Sequence, residues 1–130
     1  MKKILLLALL VNISVFASAA DRLKGEELKA VLIGNTESGV YTNKGEQLKY
    51  WEFYRPDGVI RGTEDKYGVY SGTYTIKDDG CFYGDYDGDE YDGCYYYVHL
   101  TGDQYSITSP QGTVSTATIT KGDVNKLNQF

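Results

Sequence analysis

Leu48 to Ile76 reads LKYWEFYRPDGVIRGTEDKYGVYSGTYTI, and the way it is punctuated decides the fold class. Three runs rich in β-branched and aromatic residues, Leu48 to Tyr54, Val59 to Gly62 and Tyr67 to Ile76, lie close together, and Arg55-Pro56-Asp57-Gly58 separates the first two. Proline presets the first turn dihedral, aspartate bonds its own backbone and glycine accepts a positive φ, so that tetrapeptide is a tight reversal. Strand, reversal, strand over so short a span gives antiparallel pairing.

The pattern continues toward the C-terminus. Further runs fall at Cys94 to Leu100, Tyr105 to Thr108 and Thr113 to Thr120, with turn signals at Lys77-Asp78-Asp79-Gly80, Thr101-Gly102-Asp103-Gln104 and Ser109-Pro110-Gln111-Gly112. The reading is a mainly β chain, an antiparallel meander that covers its own edges by curling into a small barrel or half-barrel. Toward the N-terminus the period changes. Leu23, Leu28, Val31 and Leu32 take helical spacing, Glu26 and Glu27 fall in an early turn and Gly34 is a stop, which predicts one short amphipathic helix between Asp21 and Ile33.

Residues 1–20 have a different character. Lys2 and Lys3 precede an apolar run from Ile4 through Val11 to Phe16, and Ala17, Ser18, Ala19 and Ala20 follow. This is the pattern of a secretory signal peptide cleaved near Ala20, and Asn12 and Ser14 interrupt the apolar run that a membrane anchor requires. The expectation is a periplasmic or secreted protein whose residues 21–130 form a single β-rich, monomeric domain. Losing Lys2 and Lys3 from 13 basic residues leaves 11 against 18 acidic ones, a net charge near −7. Such a chain repels phosphate backbones and anionic lipid surfaces, so neither nucleic acid nor a membrane is an expected partner. Tyrosine is abundant, with 13 residues against 4 Phe and 1 Trp, which suits half-buried strands where the ring packs and the hydroxyl finds a partner.

One segment draws attention as a site. Cys81 to Cys94 reads CFYGDYDGDEYDGC, and in an oxidising compartment its two cysteines are expected to form a disulfide. Within it, Asp85, Asp87 and Asp89 alternate as the first ligands of calcium loops do, and Glu90 and Asp92 extend the oxygen set, for weak binding of Ca2+. The spacing departs from an EF-hand, because the sixth residue from Asp85 is Glu90 and the twelfth is Tyr96. A solvated acidic loop is the plainer reading of the same residues. A third reading makes Tyr83, Tyr86 and Tyr91 anchors for a cationic protein steered by the carboxylates.

Elsewhere the candidates are few. Trp51 and Phe53 share one face of their strand and read either as core or as a small-ligand platform at a barrel mouth. His99 is the sole histidine, on a strand, with no nucleophile and orienting carboxylate signalled beside it. Paired carboxylates of a glycosidase need a deep cleft, which an Asp-Gly-rich loop does not supply. The expectation is a non-enzymatic binding module with no cofactor beyond weakly held Ca2+.

Leu23-Lys24-Gly25-Glu26-Glu27-Leu28, Leu32-Ile33-Gly34-Asn35-Thr36, Trp51 through Gly58, Ser71 through Ile76, Cys81, Cys94 and Gly102-Asp103-Gln104-Tyr105, taken in order, resemble a family of small uncharacterised bacterial periplasmic domains. That resemblance implies a helix leading into a lipocalin-like meander. A second likeness is to the periplasmic lysozyme inhibitors, carried by Ser71-Gly72-Thr73-Tyr74, where the family's loop is one residue longer. It implies, as an alternative function, inhibition of a cell-wall hydrolase.

Overall fold

Gly25–Leu32 forms the expected helix, α1, with the Glu27 side chain accepting from the backbone N–H of Lys24 at 3.2 Å and so satisfying one of the unpaired donors at a helix start. Its apolar stripe is fully used. Leu28 and Leu32 have no exposed surface and pack in one cluster with Tyr54, Ile60, Phe82 and Tyr97 from the strands, so the helix plugs one end of the sheet. These features come from a computed structural model that describes residues 21–86 and 88–129. The expected signal segment therefore lies outside the described residues, and no described helix is long and apolar enough to cross a membrane.

Eight strands follow, β1 (Asn35–Asn43), β2 (Glu46–Tyr54), β3 (Val59–Glu64), β4 (Gly68–Ile76), β5 (Phe82–Tyr86), β6 (Gly93–Thr101), β7 (Gln104–Thr108) and β8 (Val114–Lys121). Each pairs antiparallel with the next, and β1 pairs with β8, so the sheet is a closed barrel with no free edge. Of the two architectures expected, the structure shows the full barrel. Six of the strands follow the runs predicted above to within a few residues at their ends. β1 and β5 do not correspond to any predicted run.

Their absence from the sequence reading has a physical cause. Register puts Glu37, Gly39 and Tyr41 on the face of β1 that meets Glu52, Tyr50 and Leu48 of the facing strands, and Phe82, Gly84 and Tyr86 on the inward face of β5. Apart from Phe82, these inward positions are glycine, glutamate and tyrosine, which do not show the apolar alternation by which a half-buried strand is recognised. β5 also lies inside the segment read as an acidic loop, of which only residues 87–92 connect β5 to β6.

Local bonds close the helical end. β5 pairs with β6 over only three positions, and past that point the Tyr97 carbonyl accepts instead from the backbone N–H of Leu23 at 2.8 Å. Asn35 ties two elements together, donating to the Val31 carbonyl at 2.7 Å and accepting from the Gly122 N–H at 3.1 Å. Gly80 has φ of +95°, and a Cβ there would stand 2.2 Å from the Leu23 carbonyl oxygen, so only glycine fits where the β4–β5 turn meets the chain entering α1. Cys81 and Cys94 form the expected disulfide, with Cα atoms 5.1 Å apart.

Candidate functional site

The inward faces of the strands alternate large and small residues. Tyr50, Tyr54, Tyr70, Tyr86, Tyr95 and Tyr97 share the interior with Gly39, Gly62, Gly72 and Gly84, which the ladders place among them. The glycines make room for rings. A Cβ on Gly62 would lie 2.3 Å from the Tyr70 ring, and one on Gly39 would lie 3.0 Å from the ring of Tyr50. Small barrels are filled by such pairing of sizes, but here the filling is polar at its tips.

Those tips converge on two carboxylates. Glu37 is 4% exposed and accepts from Tyr50 at 2.5 Å, Tyr54 at 3.0 Å and Tyr97. Glu52 is 7% exposed and has contacts to Tyr54 at 2.9 Å, Tyr70 at 2.7 Å and Tyr86 at 3.1 Å. The Tyr54 hydroxyl stands between the two carboxyls. Five hydroxyls supply five protons to six contacts, so each contact has a proton of its own only when one of the carboxyls is protonated.

Electrostatics points the same way. Burial raises Glu37 above the ordinary carboxylate range, against the lowering effect of its three tyrosine partners. Burial first, and then the negative charge of Glu37, push Glu52 up to about 7. The tyrosines answer in kind, with Tyr50, Tyr54, Tyr70, Tyr86 and Tyr97 all well above their usual value, burial being the leading cause and the glutamates the next. No described arginine, lysine or histidine forms an ion pair with either glutamate. A buried carboxylate without a cation shifts its pKa rather than bear the full desolvation cost.

A third carboxylate lies nearer the open end. Glu64, 6% exposed, accepts from the Tyr41 hydroxyl, from the backbone N–H of Lys66 at 3.2 Å and from that of Tyr67. Tyr41 meets Tyr91 edge-on with ring centroids 5.8 Å apart, and it meets Tyr50 at 6.0 Å. From these residues to the strand ends opposite α1 runs a cavity of about 810 Å³. Its walls include Glu37, Glu52, Glu64 and most of the interior tyrosines, and its rim includes Val40, Tyr67, Val69 and Val114, all exposed.

The residues singled out from the sequence fall in several places. Trp51 and Phe53 alternate to the outward face of β2, and neither lines the large cavity. Trp51 borders a shallow outer depression with Ser38, Lys49 and Thr118, and Phe53 is buried on a strand against which the C-terminal turn, Leu127–Gln129, packs. Their strand is the right one, but the face that meets the cavity carries Tyr50, Glu52 and Tyr54 instead.

The three loop tyrosines part company as well. Tyr83 is 40% exposed on the outer face, with Lys77 Nζ 5.2 Å from its ring centre. Tyr86 points into the barrel toward Glu52, and Tyr91 stands at the mouth against Tyr41. As for the carboxylates, Asp92 accepts from the Tyr86 N–H at 2.7 Å, while Asp85 and Glu90 are exposed. Asp87 lies outside the described residues, and the Asp89 side chain does too. Among the described residues, no three His, Cys, Asp or Glu side chains are grouped so as to hold a metal ion. His99 bonds the Gly102 carbonyl at 2.9 Å and lies against the Tyr105 ring, in a turn away from the glutamates.

Sequence reasoning passed over Glu37, Glu52 and Glu64. One signal was present, because Glu52 interrupts an aromatic run, Tyr50-Trp51-Glu52-Phe53-Tyr54, on the face of the two tyrosines. Fold and interior together define the chain as a closed eight-stranded antiparallel barrel with a tyrosine- and glutamate-lined cavity open at one end. Compared with known proteins, the chain matches no family model, no curated protein and no solved structure.

Proposed function

We propose that this protein is an exported, non-enzymatic small-ligand-binding barrel that takes its ligand through the open end. The observation that carries this reading is the cavity of about 810 Å³, lined by aromatic rings with a few convergent polar groups and held by a sheet without edges. That volume lies within the range of ligand pockets, and such walls combine apolar contact with orienting hydrogen bonds. Catalysis finds less support. Each interior carboxylate is already engaged by hydroxyl or backbone donors, and among the described residues no serine, threonine, cysteine, lysine or histidine side chain bonds any of them. The signal-like segment and the acidic charge favour action outside the cytoplasm.

A thermal-shift screen of the mature chain, repeated on Ser115→Phe, tests this. Ser115 lines the cavity from β8, and a phenyl group there fills space the ligand needs. A ligand at about 100 times its Kd stabilises the folded state by about 2.7 kcal/mol. That gain should disappear in Ser115→Phe. A ligand that stabilises both proteins equally binds elsewhere, and the reading falls.

The same mouth favours a second reading, in which a protein docks there. Val40, Tyr67, Val69 and Val114 expose apolar surface around one opening, the kind of patch that marks an interaction site. Inhibition of a cell-wall hydrolase belongs to this reading.

A further inference from the structure

The cavity walls carry charge of one sign. Three carboxylates, Glu37, Glu52 and Glu64, line it, and no lysine, arginine or histidine does so among the described residues. We infer that the ligand is an organic cation, an ammonium or quaternary ammonium group on an apolar body, with its charge held at the mouth between Glu64 and the rings of Tyr41, Tyr67 and Tyr91. This rests on the cavity being the binding site and names the chemistry it selects.

The mouth suits that charge better than the depth does. All three glutamates are met by three donors, but those of Glu37 and Glu52 are tyrosine hydroxyls that enclose them in the depth, whereas Glu64 is met by one hydroxyl and two backbone N–H groups, one of them from the rim residue Tyr67, and forms no ion pair among the described residues. Lys66, the nearest basic residue in sequence, sends its ammonium outward to Glu46 at 2.6 Å. On the way, that ammonium passes 5.3 Å from the centre of the Tyr67 ring, so the chain already uses one of these rings to receive a cation. Tyr41 bonds Glu64 through its hydroxyl and meets Tyr91 edge-on, and the backbone N–H of Tyr67 bonds Glu64, so the four residues share one corner of the mouth. Aromatic faces around a partly desolvated carboxylate bind alkylated ammonium groups through the ring quadrupole together with the opposite charge. Below them, the tyrosine-walled cavity takes the apolar body, and the net charge of the chain, −5, draws cations toward it.

Calorimetric titration of the mature chain at low salt with n-octyltrimethylammonium, n-octanol and n-octanoate tests the inference, since the three share a tail and differ in charge. The cation should bind about tenfold tighter than the alcohol, and the carboxylate most weakly. Glu64→Gln should reduce the cation's advantage over the alcohol to about twofold. Tyr91→Leu, at a half-exposed ring, should weaken cation binding in the same sense and serves if Glu64→Gln does not fold. Equal or tighter binding of the alcohol or the carboxylate overturns the inference, as does a preference that survives both variants. If octanol binds without charge preference and Ser115→Phe abolishes it, the cavity reading stands and only the cation fails. If none of the three binds at millimolar concentration, both fall.

Discussion

The chain uses the same residue types, tyrosine and acid, in two regions with opposite physics. From Asp85 to Asp92 they are nearly contiguous in sequence, and Asp85 and Glu90 there are exposed. Inside the barrel they are scattered over β1 to β6, and there Glu37 and Glu52 are almost entirely buried. An exposed carboxylate costs little to ionise and gains little from a neighbour. A buried one is either paired, neutralised or waiting for a charge. The exposed carboxylates of the conspicuous segment are thus the chemically quieter set, while the segment itself supplies β5 to the barrel, Tyr86 to Glu52 and Tyr91 to the mouth, with a disulfide joining its ends.

The largest expected effect is on the interior side. A carboxyl whose folded pKa lies above its unfolded value binds protons on folding. Its stabilisation is therefore complete below the unfolded pKa and is lost as pH rises through the folded one. Glu52 moves from 4.5 to about 7, which corresponds to about 3 kcal/mol between pH 4.5 and 8, and Glu37 shifts in the same direction. The groups facing Glu52 are Glu37 from β1, Tyr54 from its own strand, Tyr70 from β4 and Tyr86 from β5, and none is a cation that would reverse the sign. Urea unfolding should therefore show the protein more stable at pH 5 than at pH 8, and Glu52→Gln should flatten the profile by raising stability at pH 8. Stability that climbs steadily from pH 5 to 8 would show that ordinary surface pairing governs instead.

A smaller test sets one glycine in each region against the other. In Gly62→Ala the added methyl would lie 2.3 Å from the Tyr70 ring, displacing the hydroxyl that bonds Glu52 at 2.7 Å. Overpacking of this kind costs about 2 kcal/mol. Gly88, in the connection between β5 and β6, has no atom within 4 Å of where its Cβ would be, so Gly88→Ala should change the unfolding free energy by less than about 0.5 kcal/mol. Comparable losses in the two variants would mean that the connection is packed as tightly as the barrel.

How much of this was legible follows from the same division. α1 and six strands announce themselves, because Leu28 and Leu32 repeat at helical spacing and turns such as Arg55-Pro56-Asp57-Gly58 bracket apolar runs. β1 and β5 stayed hidden because Glu37, Gly39, Gly84 and Tyr86 face the polar part of the interior, so that Phe82 is left as a single apolar trace with no alternation around it. The site was hidden for a further reason. Tyr97 and Glu37 are 60 residues apart in sequence and meet across the barrel, a pairing that only closure of β1 on β8 creates. Glu52 within Tyr50-Trp51-Glu52-Phe53-Tyr54 was the one local clue, and it directed attention to Trp51 and Phe53 because tryptophan and phenylalanine look more like pocket walls than glutamate does. In a strand, the neighbours of a residue on its own face lie two positions away, and Trp51 is adjacent.

The smallest effect belongs to the acidic loop itself. Asp85→Asn combined with Glu90→Gln removes two exposed charges that take part in no ion pair among the described residues. Exposed substitutions away from caps and cores change stability by about 0.5 kcal/mol or less, so the unfolding midpoint should hardly move. Affinity for octyltrimethylammonium should fall by no more than about twofold, through weakened long-range attraction that added salt removes in the unsubstituted protein as well. A loss comparable to that of Glu64→Gln would place the cation at the loop and not at the barrel mouth. It would reverse the comparison, since the region whose charges are cheap would then be the one that uses them, and the expensive carboxylates of the interior would be left as packing alone.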